Sequence, residues 1–216
     1  MSEKYIIGID EGSQSAKILI FDTKGNIVCE AKHALKPYNL PRPGIVEHPD
    51  DDWWICEAGK KCMAKFEGNK EDIVGIGLCT IRYCRAYLKA DGTLAQPALS
   101  WMDIRVAHPY EHTNPDVKYI VASSGYITHR LTGEKKDTVA NYEGVWPIDV
   151  DNWGWSEDPA AYEATGMPRE MLFDLVMPGD ILGYVTKEAA EATGFPQGLP
   201  VVATSNDKAV EGLGTG

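Results

Sequence analysis

A short polar turn near the N-terminus carries the first residues whose types suggest chemistry. Two apolar, β-rich runs, residues 5–10 and 16–22, flank the segment "DEGSQS" that begins at Asp10. Because such a turn exposes backbone N–H groups together with small polar side chains, it favours an anion such as a phosphate group. The turn residues expected to contact that anion are Gly12, Ser13, Gln14 and Ser15.

Charged residues beside the turn extend this prediction to a metal-bound phosphate. The carboxylate of Asp10 can hold a hydrated Mg²⁺ that bridges phosphate oxygens, and Lys17 can add a cation near the same anion. We therefore expect Asp10 to be the metal ligand and both residues to belong to a cofactor site. The alternative is a hairpin with a polar turn, since a motif this short is weak evidence.

Charge and composition exclude several classes of partner. The chain has 216 residues and a formal net charge of −11, whereas nucleic acids and anionic membranes require a basic surface, so neither is an expected partner. The sequence shows neither a signal-peptide pattern nor an apolar stretch long enough to span a bilayer, which favours a cytoplasmic location. Five cysteines without metal-ligand spacing favour reduced, buried thiols.

The order of strand and helix patterns predicts the sheet that positions the turn. Residues 5–10, 16–22 and 27–33 indicate three consecutive antiparallel strands. A helical pattern then begins at Asp51, and the continuous apolar run 72–79 is typical of a central strand. This order predicts a mixed sheet with helices packed on it.

Later segments carry recognisable local patterns. They predict a hairpin over 83–94 centred on Asp91 and Gly92, a helix over 114–134 that ends at Gly133, a short helix between Thr186 and Gly194, and a strand, turn and helix start over 198–216. The sequence stops in a glycine-rich stretch. We therefore expect this chain to be the first part of a longer polypeptide.

Several segments resemble, in family order, the N-terminal domain of FGGY-family carbohydrate kinases. The segment "DEGSQSAK" is similar to the first phosphate motif of the ribonuclease-H-like, actin and hexokinase superfamily. The other matching segments are "PGIVEHPDDDWW" (43–54), "DGTLAQPALSWMDIR" (91–105), "THRLTGE" (128–134) and "GLPVVATSNDKAVEGLGTG" (198–216). The resemblance covers nearly the whole chain and is greatest for a branch of uncharacterised sugar kinases. It implies a ribonuclease-H-like α/β fold with a mixed five-stranded sheet and helices on both faces.

The resemblance also implies an activity and a division into domains. Enzymes of the family have two such domains, with the active site in the cleft between them, so residues 1–216 are expected to form the domain with the sugar site and the catalytic base. The C-terminal ATP-binding domain would be absent from this chain. The implied reaction is ATP-dependent phosphorylation of a sugar or polyol hydroxyl, with ATP and Mg²⁺ as cofactors and a homodimer as an open possibility. The isolated chain should turn over little, because cleft closure assembles such sites.

Single residues take their expected roles from the same resemblance. Asp207 matches the family's catalytic base, which accepts the proton of the acceptor hydroxyl; the alternative is a helix N-cap. Arg82 and the pair Trp101 and Asp103 match positions that line the sugar pocket. The structural alternatives are a surface cation for Arg82, a core residue for Trp101 and an ion-pair partner of Arg105 for Asp103.

The chain departs from the family pattern beside two of these residues. Ser205 and Asn206 precede the expected base where relatives usually carry glycines, and Ile81 and Tyr83 flank Arg82 where relatives often have Gln and Glu or His. These departures keep open a second hypothesis, a non-catalytic sugar-binding or regulatory module on the same fold. A third hypothesis, an actin-type ATPase, is disfavoured by "WMDIR" and "EHPDDDWW", which belong to the sugar-kinase branch.

Overall fold

A computed structural model describes residues 3–48 and 55–215 of the chain. Its strands are β1 (Tyr5–Glu11), β2 (Ser15–Asp22), β3 (Ile27–Ala34), β4 (Ile73–Thr80), β5 (Ala86–Leu88), β6 (Tyr119–Val121), β7 (Lys136–Thr138), β8 (Ile148–Asp149), β9 (Gly154–Trp155), β10 (Asp174–Val176), β11 (Ile181–Tyr184) and β12 (Pro200–Asn206). Its α-helices are α1 (Cys56–Lys65), α2 (Ser123–Thr132), α3 (Pro159–Thr165), α4 (Lys187–Thr193) and α5 (Asp207–Gly214).

A mixed sheet of six strands organises the domain, in the order β11-β12-β4-β1-β2-β3. Strands β1, β2 and β3 pair antiparallel, as predicted, whereas β4 pairs parallel with both β1 and β12. The mixed α/β class is confirmed, but the predicted number of five strands is wrong. The sixth strand is β11, which pairs antiparallel with β12 at the sheet edge. Because β11 has four residues and exposes both Ile181 and Tyr184, it lacks the alternation that marks a longer strand.

Alternating side chains give the antiparallel strands their buried face. In β2, Ala16, Ile18 and Ile20 are buried, while the residues between them are half-buried. The turn into β3 is set by Asp22, whose carboxylate accepts hydrogen bonds from two backbone N–H groups of the turn at 2.8 and 2.9 Å. Local sequence therefore determines the pairing of the first three strands.

The two faces of the main sheet are covered differently. Helices α1, α2 and α4 pack on one face, where Ala58, Cys62, Tyr126 and Leu131 join the strand residues in a single buried core. On the other face, α5 lies beside β12 and β4. Helices thus lie on both faces, as predicted, and α5 stands at the strand ends of the more open face.

The predicted helix over 114–134 is wrong in its first half. Residues Tyr119–Val121 form β6, which pairs antiparallel with β5, and α2 begins only at Ser123. Aromatic and β-branched residues favour a strand there, and the buried Ile120 and Val121 fit a strand as well as a helix stripe. The predicted helix end is confirmed, since Gly133 adopts a φ of 73° and its N–H donates to a carbonyl of the last turn.

The other local predictions are confirmed to different extents. Helix α4 lies between its Thr186 cap, which accepts from a backbone N–H of the first turn, and Gly194 with a φ of 79°. The turn at Asp91–Gly92 also forms, but the strand before it, β5, pairs with β6, and only one bridge, Leu88 to Leu94, crosses the turn. The start predicted at Asp51 for the first helix lies outside the described residues.

The structure tests the expectation of reduced, buried cysteines and also shows whether the described residues include membrane-spanning helices or metal-binding groups. The five cysteines are free thiols, four of them buried and Cys56 half-buried. Within 3–48 and 55–215, no helix has both the length and the apolar character required to cross a membrane. The same ranges contain no group of three or more His, Cys, Asp or Glu side chains arranged to hold a metal ion.

The packing of α1 against α4 leads to a first prediction. A Cβ at Gly59 would lie 2.9 Å from the carbonyl oxygen of Thr193, which is backbone and cannot rotate away. We expect Gly59→Ala to lower the free energy of unfolding by about 1–3 kcal/mol in urea titrations, because the helices must separate. Gly212→Ala in α5, where a Cβ meets nothing within 4 Å, is the matched control and should be neutral or stabilising. Equal stabilities of the two variants would contradict this packing.

Candidate functional site

The turn between β1 and β2 is closed by its own backbone. The N–H of Gly12 donates to the carbonyl of Ser15 at 3.0 Å, and the carbonyl of Gln14 accepts from the N–H of Leu35 at 2.9 Å. The N–H of Gly12 therefore serves the turn itself. If the turn binds an anion, the side chains of Ser13, Gln14 and Ser15 are the more available donors.

Asp10 and Lys17 face each other across β1 and β2. The strand register pairs the two residues, and the Lys17 Nζ lies 3.4 Å from the Asp10 Oδ2. Both side chains are nearly half exposed, at 42% for Lys17 and 45% for Asp10. An ion pair this exposed contributes at most about 1 kcal/mol, so a ligand can readily displace one partner from the other.

Asp207 is presented at the start of α5 by the residue that precedes it. The Asn206 side chain caps the helix by accepting from the N–H of Ala209 at 3.2 Å, and it donates to the carbonyl of Ala140 at 3.2 Å. The alternative of Asp207 as the N-cap is therefore wrong, because Asn206 fills that role. The Asp207 Oδ1 accepts from the N–H of Lys208 at 2.9 Å, and the carboxylate is half-buried at the edge of the sheet.

Asp10 and Asp207 line one pocket of about 320 Å³ on the more open face of the sheet. Gly8, Gly77 and Phe21 form part of its floor, and Glu211 from α5 also lines it. The pKa of the Cys79 thiol, which lies in the same pocket, is raised to about 12, chiefly by burial and then by the charges of Asp10, Asp207 and Glu211. The three carboxylates therefore make the lining of this pocket acidic.

A second pocket, of about 240 Å³, begins on the other side of Asp207. Arg82 and Trp101, both predicted to contact a sugar, line it together with Tyr83 and Lys208. The indole of Trp101 is 50% exposed, and its Nε1 donates to the Ser13 Oγ at 3.0 Å, which ties this pocket to the β1–β2 turn. Asp207 thus borders the pocket of Asp10 and the pocket of Arg82 at once.

Asp103, also predicted to line the sugar pocket, is held by contacts within the protein. Its carboxylate is fully buried and accepts from the N–H of Val46 at 2.8 Å and from the Arg105 guanidinium at 2.9 and 2.7 Å. Burial alone would raise the pKa of Asp103, but the hydrogen bonds from Arg105 and from backbone N–H groups outweigh it and lower the pKa. The geometry favours the ion-pair alternative, in which Asp103 fixes the segment that presents Trp101. A direct contact with a substrate stays a prediction.

Two residues beside Arg82 were not among the predicted site residues. The Glu143 Oε2 accepts from the Arg82 Nη1 at 3.4 Å and from the Tyr83 hydroxyl at 3.2 Å. Tyr83 adopts a φ of 63°, a left-handed conformation that is unusual for a bulky residue and that often marks a functional site. No local pattern signals the contact of Glu143 with Arg82, because 61 residues separate them in the chain.

A buried polar network supports the strand ends that carry these residues. It joins the end of β4 to α2 and to the segment that follows β7. Its members are Thr80, Ser123, Ser124, Asp137, Asn141 and Tyr142, joined by hydrogen bonds of 2.7–3.1 Å. The Ser123 hydroxyl also donates to the carbonyl of Ile81 at 2.7 Å, directly before Arg82. The network therefore helps to fix the backbone of the second pocket.

Asp137 is the carboxylic acid of this network. Its carboxylate accepts from the Ser124 and Tyr142 hydroxyls at 2.9 and 2.7 Å and from the N–H of Thr138 at 2.7 Å. Burial raises the pKa of Asp137 from 3.8 to about 7, even though these hydrogen bonds oppose the shift. The protonation state of this buried carboxyl therefore changes near neutral pH.

Comparison with known proteins identifies the family to which the chain belongs. A sequence model of the N-terminal domain of the FGGY family of carbohydrate kinases matches residues 5–118 and 106–214. The chain is 60% identical over 218 residues to an uncharacterised sugar kinase, YgcE, of Escherichia coli K12, an alignment that covers all of this chain and 44% of that protein. The chain therefore belongs to the FGGY family of carbohydrate kinases, whose N-terminal domain it represents.

Solved structures agree on the fold. The ligand-bound xylulose kinase of Lactobacillus acidophilus matches with a TM-score of 0.84 at 17% identity, over 98% of this chain and 50% of that one. The glycerol kinase of Plasmodium falciparum with ADP matches with a TM-score of 0.79 at 16% identity, over 95% of this chain and 49% of that one. The chain therefore shares its α/β fold with these carbohydrate kinases of known structure. The chain spans about half the length of these relatives.

The buried carboxyl of Asp137 leads to a prediction on pH dependence. The folded-state pKa of Asp137 lies above its unfolded value, so the folded protein binds the proton of this carboxyl more tightly than the unfolded chain does. The stabilisation that results from this difference in proton binding falls as pH rises from about 4 to about 7. Asp137→Asn removes it. Between about pH 5 and 6.5 we expect the unfolding free energy of the wild type to fall as pH rises, by about 1.4 kcal/mol per pH unit more than that of the variant.

The control for this measurement is Asp151→Asn, which changes an exposed carboxylate in a loop. Urea titrations across the pH range supply the slopes for the three proteins. The exposed control should follow the wild type. Parallel slopes for Asp137→Asn and the wild type would contradict the assignment.

Proposed function

We propose that the full-length protein, of which residues 1–216 are the N-terminal domain, transfers the terminal phosphoryl group of ATP to a hydroxyl of a sugar or polyol. The position of Asp207 between the two pockets carries this proposal. One pocket offers carboxylates for a metal-bound phosphate, and the other offers an arginine and an exposed tryptophan for a polyhydroxylated ligand. A carboxylate that borders both can accept a proton from a hydroxyl beside the phosphate.

The residues divide the chemistry between them. Asp207 accepts the proton as the acceptor oxygen attacks, and Arg82 and Trp101 hold and orient the acceptor. The β1–β2 turn binds the phosphates through Ser13, Gln14 and Ser15, with Lys17 as a nearby cation, and Gly12 closes the turn through its own N–H. The structure of the Plasmodium falciparum glycerol kinase with ADP supports ATP as the phosphoryl donor here as well.

The donor set of the first pocket fits Mg²⁺. This ion prefers oxygen ligands and usually takes one or two carboxylates together with phosphate oxygens and water, so no complete protein cage is required. Asp10 would hold the ion, with Asp207 and Glu211 in the same pocket. Bound there, Mg²⁺ would neutralise charge on the transferred phosphoryl group.

The remaining parts of the proposal concern the whole protein. This chain covers 44% of the length of YgcE, and we infer that the ATP-binding domain lies in the part of the full-length protein that the chain does not span. Closure of that domain over the open sheet face would exclude water from the reaction. A cytoplasmic location and a homodimer stay predictions. A non-catalytic sugar-binding module remains the alternative function.

The role of the base is tested with Asp207→Asn in the full-length protein. We expect ADP release in the presence of an acceptor to fall by at least about a thousandfold, while the affinity for that acceptor changes by less than about tenfold, because a base acts mainly in the transition state. Asp151→Asn is the control and should retain full activity. Turnover of Asp207→Asn near that of the control would reject the role and favour the binding-module alternative.

The role of Asp10 is tested by its dependence on metal. In full-length Asp10→Asn, we expect the Mg²⁺ concentration for half-maximal ADP release to rise by at least about tenfold, with little change in melting temperature, because the ion pair with Lys17 is exposed. Asp116→Asn, an exposed carboxylate far along the chain, is the control. A variant that loses stability and activity together, with an unchanged Mg²⁺ requirement, would show that Asp10 only supports the hairpin.

A further inference from the structure

The second pocket, which the proposed function assigns to the acceptor, is here called the acceptor pocket. Two cationic side chains line it, and each has a carboxylate partner. Arg82 faces Glu143, whose Oε2 lies 3.4 Å from the guanidinium, and the Lys208 Nζ lies 3.5 Å from the Glu211 Oε2. Asp207 adds a further carboxylate to the same lining. Among the described lining residues, the cationic side chains thus come with acidic partners, and the pocket offers no excess of positive charge.

Glu143 is held beside the pocket by its neighbours in the chain. Tyr142 and Trp146 are both buried, with their rings 4.7 Å apart in an edge arrangement. A Cβ at Gly144 would lie 3.8 Å from the Tyr83 ring, so the 143–144 segment runs along that ring. The side chain of Glu143 therefore extends to Arg82 from an anchored backbone.

The contact between Glu143 and Arg82 is open to a ligand. The two side chains are 43% and 39% exposed, and the distance of 3.4 Å is at the long end for a hydrogen bond. An exposed ion pair of this kind adds little to the stability of a fold. A guanidinium and a carboxylate side by side instead supply donors and acceptors together, which suits hydroxyl groups because each hydroxyl both donates and accepts.

We propose that Glu143 selects a neutral polyhydroxylated acceptor, a sugar or sugar alcohol, and excludes sugar acids by occupying the arginine that would otherwise bind their carboxylate. This inference rests on the proposed kinase function and specifies its substrate class. A carboxylate at Arg82 must compete with Glu143 and lie close to Asp207, so it meets like charges on two sides. A neutral hydroxyl pair at the same place meets no such repulsion.

The test uses the full-length enzyme with saturating Mg²⁺ and ATP, and measures ADP release. The acceptors are matched sets of aldose, ketose, alditol and aldonic acid with five and six carbons. For the wild type we expect kcat/KM for the best neutral acceptor to exceed that for every aldonic acid by at least about a hundredfold. In Glu143→Gln, which keeps the shape and removes the charge, we expect that ratio to fall by at least about tenfold, mainly through KM.

Two controls separate selection from a general loss of structure. Glu188→Gln makes the same change in charge on the exposed first turn of α4 and should leave the ratio unchanged. Glu143→Asp keeps the charge on a shorter side chain and should keep acids excluded, even if turnover of the neutral acceptor declines. The melting temperature of Glu143→Gln should remain within about 3 °C of the wild type.

The outcomes distinguish this inference from the proposal on which it rests. ADP release with none of the acceptors would overturn the kinase function for sugars and polyols of five and six carbons, and the inference with it. Release with neutral acceptors and aldonic acids at similar efficiency would leave the kinase function in place and overturn the inference. A wild-type preference for neutral acceptors that Glu143→Gln leaves unchanged would also overturn the role assigned to Glu143.

Discussion

The parallel pairing of β4 with both β1 and β12 is the constraint on which the site depends. It aligns the carboxyl ends of three strands, with Asp10 in register with Cys79, and Asn206 in register with Thr80. Ligands of open α/β sheets bind outside such strand ends. Because Asp10 is the penultimate residue of β1 and Asp207 follows β12 directly, two carboxylates that are distant in the sequence line the same pocket at one edge of the sheet.

Polar contacts behind this edge keep its parts in position. Asn206 caps α5 and also bonds to Ala140, so the direction of the helix that begins with Asp207 is tied to the buried network around Asp137. The same network reaches the carbonyl before Arg82 through Ser123. Because Thr80, Ser123 and Asn141 are joined by hydrogen bonds, the geometry of both pockets depends on a few interior side chains.

The sequence predicted those parts of the site that follow from local pattern or from strand order. The first three strands and the capped α4 were predictable because turn residues and caps act locally. The roles of Asp10 and Asp207 were expected in part from the family resemblance, and the pocket that they share depends on the parallel pairing of β4 with β1 and β12. The strand β6 was not, because its short apolar run suits a helix stripe equally well, and pairing with β5 decides the matter. Glu143 could not be predicted, since only the tertiary fold brings it to Arg82.

The proposed phosphoryl transfer requires a hydroxyl of the acceptor to bind between Asp207 and a phosphate held on the side of Asp10. The decisive experiment is a crystal structure of the full-length protein with Mg²⁺, a non-hydrolysable ATP analogue and an accepted sugar. We expect an acceptor hydroxyl about 2.6–3.2 Å from the carboxylate of Asp207, with the metal beside Asp10. A sugar bound away from Asp207, or a metal and phosphates distant from Asp10, would contradict this arrangement.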